Sequence, residues 1–225
     1  TLISGSSKMI SLGVLSQLII VVVTLSLTEF LDPKAFGIFG VYAAFWSILT
    51  TAMTGKYELS LLELSGPHER HKIVQLCILV LMGTSLFGLL VVMLGVFIYG
   101  LPSYWVFILI SGVFSSLLGL FKMVQASDRT FSSYQATLII GAAVFSLVAC
   151  IIVFRFEDYY ELTLVIAHCS GLLASLIIVS FLNRSVFVGF WGEMISFEEA
   201  RVLAVRYKNF PLQALPSELI MLMPQ

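Results

Sequence analysis

The chain has 225 residues, 59% of them hydrophobic and 11% charged, with a formal net charge of -1 and a mean hydropathy of +1.03. A water-soluble domain of this size needs far more charge to cover its surface, so that class is excluded. The near-neutral balance offers no general attraction to nucleic acid or to an acidic substrate, and no nucleic-acid partner is expected.

Six apolar runs follow one another: Met9–Thr28, Phe36–Met53, Ile73–Tyr99, Tyr104–Val124, Ser133–Phe154 and Leu162–Leu182. A run of roughly 20 apolar residues crosses a bilayer as a helix, because a helix bonds its own backbone polar groups internally. The expected fold is an all-α membrane protein. It comprises a six-transmembrane-helix bundle over residues 1–185, a cytoplasmic amphipathic linker helix over 186–208 and a new apolar segment over 209–225.

The first run follows Lys8. It is longer than the apolar core of a signal peptide and lacks an A-x-A cleavage site, so it reads as a retained span. Asp32-Pro33 is a turn and helix-start signal before the second run. Gly66-Pro67 breaks the polar segment Lys56–Lys72. The third run, about 27 residues or about 40 Å of helix, exceeds the hydrocarbon core and should tilt or project beyond it. Gly100-Leu101-Pro102-Ser103 is a tight turn, and Arg155–Glu161 a short acidic loop. In Ser196–Lys208 the residues Phe197, Ala200, Leu203, Ala204 and Tyr207 recur at helical spacing, which predicts an amphipathic helix at the cytoplasmic interface. Ser196 and Glu199 form its capping box. Pro211, Pro216 and Pro224 then predict a kinked or discontinuous seventh segment. The chain opens without Met and stops at Gln225 inside that segment, which reads as part of a longer protein.

With the N-terminus cytoplasmic, ten of the twelve Lys and Arg residues fall on the cytoplasmic side and only Lys34 and Arg155 outside. Positive charge resists translocation, so this orientation is the expected one. Cys77, Cys150 and Cys169 lie within apolar runs with no C-x-x-C spacing. They read as small buried hydrophobes, with neither disulfide nor metal site.

No catalytic signature, phosphate-binding glycine loop or cofactor motif is present, and neither an enzyme nor a cofactor is expected. Polar and small residues instead line particular faces. In the first span these are Gly13, Gln17, Thr24 and Thr28. In the fourth they are Ser111, Ser115, Gly119, Lys122, Gln125 and Arg129, a stripe that turns cationic toward the cytoplasm. Such stripes serve either helix packing or a water-filled groove that admits an anionic group. His168, with Gly171 and Ser175 on its face, is an intramembrane ionisable residue and a candidate for proton coupling. Gly55-Lys56-Tyr57-Glu58 closes the second span. On a helix Lys56 and Glu58 point about 200° apart, so one or both should face the interior or water.

Three segments carry a resemblance: Asp32-Pro33-Lys34-Ala35-Phe36-Gly37, Gly55-Lys56-Tyr57-Glu58, and Tyr207-Lys208-Asn209-Phe210-Pro211-Leu212 with Leu215-Pro216-Ser217. On a six-span frame they are similar to the N-terminal half of the Wzx-type oligosaccharide flippases. These are the polysaccharide-exporter branch of the multidrug/oligosaccharidyl-lipid/polysaccharide superfamily. The resemblance implies one lobe of a two-lobed, pseudo-symmetric transporter, with 209–225 opening the second lobe. It implies alternating-access movement of an undecaprenyl-diphosphate-linked oligosaccharide across a bacterial inner membrane during O-antigen, capsule or exopolysaccharide assembly. Lys56, Tyr57 and Glu58 would then sit near the cytoplasmic end of the cavity, where a lysine meets the diphosphate. Gln17, Lys122, Gln125 and Arg129 would line the path. A glycan polymerase and chain-length machinery are the implied protein partners. The alternatives are an ion-coupled small-molecule antiporter of the same superfamily, which calls for a mid-span carboxylate that the six runs lack, and a membrane-embedded glycan polymerase or acyltransferase, which calls for a larger outer loop.

Overall fold

The computed structural model describes residues 2–64, 66–102, 104–127, 132–182 and 195–222, with side chains outside 2–12, 67, 132–136 and 157–159. Six long helices come first: α1 (Leu2–Ser26), α2 (Pro33–Met53), α3 (Pro67–Tyr99), α4 (Tyr104–Ser127), α5 (Ser132–Arg155) and α6 (Thr163–Leu182). Two shorter ones follow, α7 (Phe197–Arg206) and α8 (Asn209–Met221). Three short 3-10 segments, Leu27–Glu29, Tyr57–Leu62 and Glu157–Leu162, sit in the connections. No strand occurs among the described residues. Five of the helices are long and apolar enough to cross a membrane, and Gly13–Glu29 is a shorter apolar helix ahead of them.

Local chemistry sets the helix ends. Asp32 caps α2 by accepting a hydrogen bond from the Lys34 N–H at 3.1 Å, and Pro33 takes the first turn, where a missing N–H costs nothing. Gly100 closes α3 in the left-handed conformation, φ 61°, returning its N–H to Val96 O. Ser196 and Glu199 form the reciprocal capping box expected for α7.

The bundle is layered. α4 and α6 are the most enclosed spans, and α4 packs on α2, α3 and α6. α5 lies along α6, and α1 is held mainly against α5. The α5–α6 seam is the closest approach. A Cβ at Gly171 would stand 2.7 Å from the Gly141 carbonyl oxygen. Two helices meet there backbone to backbone, which small residues permit. The outward faces carry large apolar side chains that water would not tolerate: Phe87 is 70% exposed, Phe97 94% and Phe181 78%. In a bilayer these faces meet their proper solvent.

α3 has 33 residues, about 50 Å of helix, and projects as its run length suggests. The Thr84 hydroxyl donates to Met53 O at 2.9 Å, so α2 ends beside the middle of α3. The first 17 residues of α3, Pro67–Gly83, continue past that point. Onto this extension docks α7. Ala200 and Leu203 enter a core with Ile73, Val74, Cys77 and Leu120, and Ala204 and Tyr207 flank it. Phe197 stays 85% exposed and does not join. Lys72–Glu199 (2.8 Å) and Arg206–Glu69 (2.7 Å) ion pairs border the contact. The apolar face of α7 therefore packs largely on protein.

Two expectations need correction in part. The proline-rich seventh segment is not discontinuous: α8 runs through Pro216, which leaves the kinked alternative standing. Pro211 falls in its first turn, where N–H groups have no intrahelical acceptor anyway, and only Pro216 lies inside. Pro224 is outside the described residues. For Lys56 and Glu58 the helical premise fails although its conclusion holds, since both side chains are turned inward, Glu58 being buried and Lys56 nearly so. Gly55 and Lys56 both adopt positive φ, 60° and 62°, so the chain reverses there instead of continuing α2.

Replacing Gly171 by Ala should cost about 1–3 kcal/mol, because the obstructing atom is backbone and cannot rotate away. Gly83→Ala, with no atom within 4 Å of the new Cβ, should leave the unfolding midpoint in detergent unchanged or raise it. The α7 dock should respond to acid. Hydrogen bonds from Lys72 and from the Ser196 N–H, with the Lys72 charge, hold the Glu199 carboxyl below its usual pKa of 4.5. Its contribution is complete above that value and disappears as pH falls through the depressed one. Protection of the 197–206 amides, measured as hydrogen exchange relative to the intrinsic rate at each pH, should fall on acidification, and less so in Glu199→Gln.

Candidate functional site

Four helices enclose a cavity of about 300 Å3. α1 contributes Ser16, Gln17 and Ile20, and α4 contributes Ser115, Leu118, Gly119 and Lys122. α5 adds Thr137, Leu138, Gly141, Ala142 and Phe145, while α6 adds His168, Gly171, Leu172 and Ser175. Its size is at the lower end of the range of about 300–1,000 Å3 typical of small-molecule sites. It lies at mid-bundle and extends toward the α4–α5 connection: α4 lines it with its C-terminal half and α5 with its N-terminal half, while α1 and α6 line it around their middles.

The walls are built from the same small residues that let the helices approach. Gly141 and Gly171 leave no side-chain bulk at the α5–α6 seam. Ser175 Oγ donates to Thr137 O at 2.9 Å across the same pair. The Ser16 hydroxyl donates to Gly13 O within α1. Lys122, half-buried, is the one charged lining residue among those described, and no carboxylate lines the space.

Behind His168 lies a polar cluster joining three helices. Tyr42, fully buried on α2, places its hydroxyl 2.6 Å from His168 Nδ1 and donates to Ser111 Oγ of α4 at 2.6 Å. Ser111 Oγ in turn lies 2.9 Å from Cys169 Sγ of α6. One turn along α2, Trp46 donates its indole N–H to Ser115 Oγ at 3.0 Å and packs edge-on against the imidazole, centroids 4.5 Å apart. An intramembrane polar group without a partner is costly, and here each has one from another helix.

The residues singled out from sequence divide into two places. Gln17, Lys122 and His168 come together at the cavity. The α4 stripe does face one way: Ser111 joins the cluster, and Ser115, Gly119 and Lys122 line the space. Gln125, 3% exposed, is buried elsewhere, and Arg129 lies outside the described residues. The α1 stripe splits, for Gln17 reaches the cavity while Thr28 is exposed and bonds its own helix at Leu25 O.

Lys56, Tyr57 and Glu58 do not line this cavity. They begin the 3-10 segment wedged against α3, α4 and α8. Lys56 pairs with Glu218 of α8, and the Tyr57 hydroxyl donates to Ala204 O at 3.5 Å. Burial raises the Tyr57 phenol above its ordinary pKa, with the nearby Cys77 adding to the shift. Glu58 is 8% exposed with Oε2 unpartnered among the described residues.

Tyr42, Trp46, Thr137 and Ser16 belong to the site or its backing and were not singled out from sequence. One signal was present. Tyr42 and Trp46 stand four residues apart in an apolar span, each with a polar tip that a buried position obliges to find a partner. No protein-family model, curated protein or solved structure matches the chain. Cys77 and Cys169 are buried and Cys150 is half-buried.

Water access along α4 should follow the geometry. With the three native cysteines replaced by alanine, Ser115→Cys and Lys122→Cys should react with a charged, membrane-impermeant thiol reagent added to opened vesicles. Ser111→Cys, at a position with 0% exposure, should react at least about tenfold more slowly.

Proposed function

We propose that this chain is a transporter lobe that moves a lipid-linked oligosaccharide across a bacterial inner membrane by alternating access. The observation that carries the reading is the cavity among α1, α4, α5 and α6, whose mostly apolar wall holds Ser, Thr, Gln and His groups, one lysine and, among the described residues, no carboxylate. A ligand matched to such a lining is polyhydroxylated and anionic. Hydroxyl and amide groups from Ser115, Gln17 and Ser175 suit sugar hydroxyls, and Lys122 suits a phosphate oxygen.

Orientation supports the same assignment. If the cytoplasmic loops hold ten of the twelve basic residues, the cavity extends from mid-membrane toward the cytoplasmic side, where a substrate assembled in the cell is collected. An undecaprenyl-diphosphate carrier supplies the negative charge. The prenyl chain stays in hydrocarbon while the glycan enters the polar space. A second lobe, begun by α8, would complete the path. The Lys56–Glu218 ion pair between the α2 exit and α8 is then a contact between this lobe and the opening of the next. The drug-antiporter reading is weaker, because cation exchange calls for a carboxylate in the cavity and the described lining has none.

Deletion of the gene should trap lipid-linked repeat units on the cytoplasmic leaflet, and normal surface polysaccharide in a strain lacking other flippases would end this reading. At equal protein level, Lys122→Ala should lower export about tenfold, the loss of one charge-assisted contact. Lys56→Ala, whose partner is Glu218, should lower it less.

A further inference from the structure

The cluster behind His168 has a direction, and that direction reaches the cavity. Five groups are connected in sequence: His168 Nδ1, Tyr42 Oη, Ser111 Oγ, Cys169 Sγ and the Phe107 carbonyl oxygen. The successive separations are 2.6, 2.6, 2.9 and 3.8 Å. The Tyr42 hydroxyl donates to Ser111 Oγ at 2.6 Å. Cys169 Sγ completes the cluster, 2.9 Å from Ser111 Oγ and 3.8 Å from both Tyr42 Oη and Phe107 O. A hydroxyl has one proton to give. Tyr42 has then no proton left for the imidazole, and Nδ1 must carry its own. In a neutral imidazole one nitrogen donates and the other accepts. Since Nδ1 is committed to Tyr42, Nε2 is left with its lone pair.

His168 lines the cavity while its Nδ1 faces Tyr42. The ring is held laterally by Trp46 at 4.5 Å and Phe39 at 6.2 Å, both edge-on. We propose that His168 is the hydroxyl-recognising residue of the cavity, fixed by the Tyr42–Ser111–Cys169 relay as the Nδ1–H tautomer so that Nε2 accepts a hydrogen bond from a sugar hydroxyl. Tyr42 and Ser111 are positioning residues in this scheme. It deepens the glycan-transport reading and rests on it for the choice of ligand.

The consequence is selectivity. Lys122 can only donate and so suits acceptor oxygens, whereas Nε2 can only accept and so selects groups that bring a proton. A site built around a fixed acceptor rejects a ligand that lacks the matching donor, because the buried acceptor is then left unpaired. Ethers and esters, which have oxygens but no protons, would be refused. The reverse polarity, in which Tyr42 donates to Nδ1 and Nε2–H points outward, gives up the Tyr42 donation to Ser111 and would invert this preference.

The test is nitrogen NMR of the chain in lipid nanodiscs with 15N-labelled histidine, the His168 signals being identified by their loss in His168→Gln. The expected result is a neutral ring with Nδ1 protonated and Nε2 bare. Tyr42→Phe, which keeps the ring but removes the acceptor, should move the tautomer ratio about tenfold toward Nε2–H, the weight of one hydrogen bond. Ser111→Ala should move it the same way. Glucose should shift the Nε2 resonance saturably, and 1,2-dimethoxyethane, a smaller molecule with acceptors only, should not. A wild-type ring protonated on Nε2, a ratio unmoved by Tyr42→Phe, or equal responses to the two probes would each overturn the proposal. These readouts do not depend on export. A strain that exports normally without the gene, alongside the expected spectra, would remove the transport reading and leave hydroxyl recognition standing.

Discussion

In hydrocarbon a polar side chain has no water to bond, so it must find its partner in the protein. That constraint organises this bundle. Tyr42, Trp46, Ser111, Ser115 and His168 are scattered over α2, α4 and α6, and no one of them is satisfied within its own helix alone. Bringing them together sets which faces of three helices meet. The apolar residues could pack in many rotations, since lipid accepts them as readily as protein does. The polar ones reduce those rotations to few.

A second consequence concerns space. The glycine contact at Gly141 and Gly171 draws α5 against α6 more closely than side chains allow. α4 meets α6 through larger groups, Leu118 and Phe121 packing with Val179. A bundle with one tight seam and one wide seam leaves a gap between them, and the cavity lies there, closed on the remaining side by α1. The hole follows from unequal helix spacings, with no single residue shaping it. α1, held mainly by α5, is the wall with the fewest neighbours.

How much was legible in the sequence differs from element to element. The helices were legible because apolar runs of that length have one stable backbone conformation in lipid. The α7 capping box and the projection of α3 were legible for equally local reasons. The α4 stripe was legible as a face, since Ser111, Ser115, Gly119 and Lys122 recur every three or four residues, but its partners were not. Tyr42 is 69 residues from Ser111 and 126 from His168. Pairing across such distances depends on helix order and rotation, which periodicity leaves open. Lys56 and Glu58 face inward as expected but for another reason, because two consecutive positive φ angles turn the chain there in place of a helix. Pro216 lies inside α8 without ending it, so that of a kink and a break only the break is excluded.

By itself, then, the sequence determined what kind of solvent surrounds this protein, where its helices lie and which helix faces are polar. Each of these depends on residues close along the chain. Only the tertiary structure decided that Gln17, Lys122 and His168 share one cavity while Lys56 and Glu58 stand apart from it, and that the Tyr42 hydroxyl meets the imidazole. Those facts depend on side chains from different helices meeting at about 3 Å, a tolerance set by hydrogen-bond geometry that no spacing along a chain can encode.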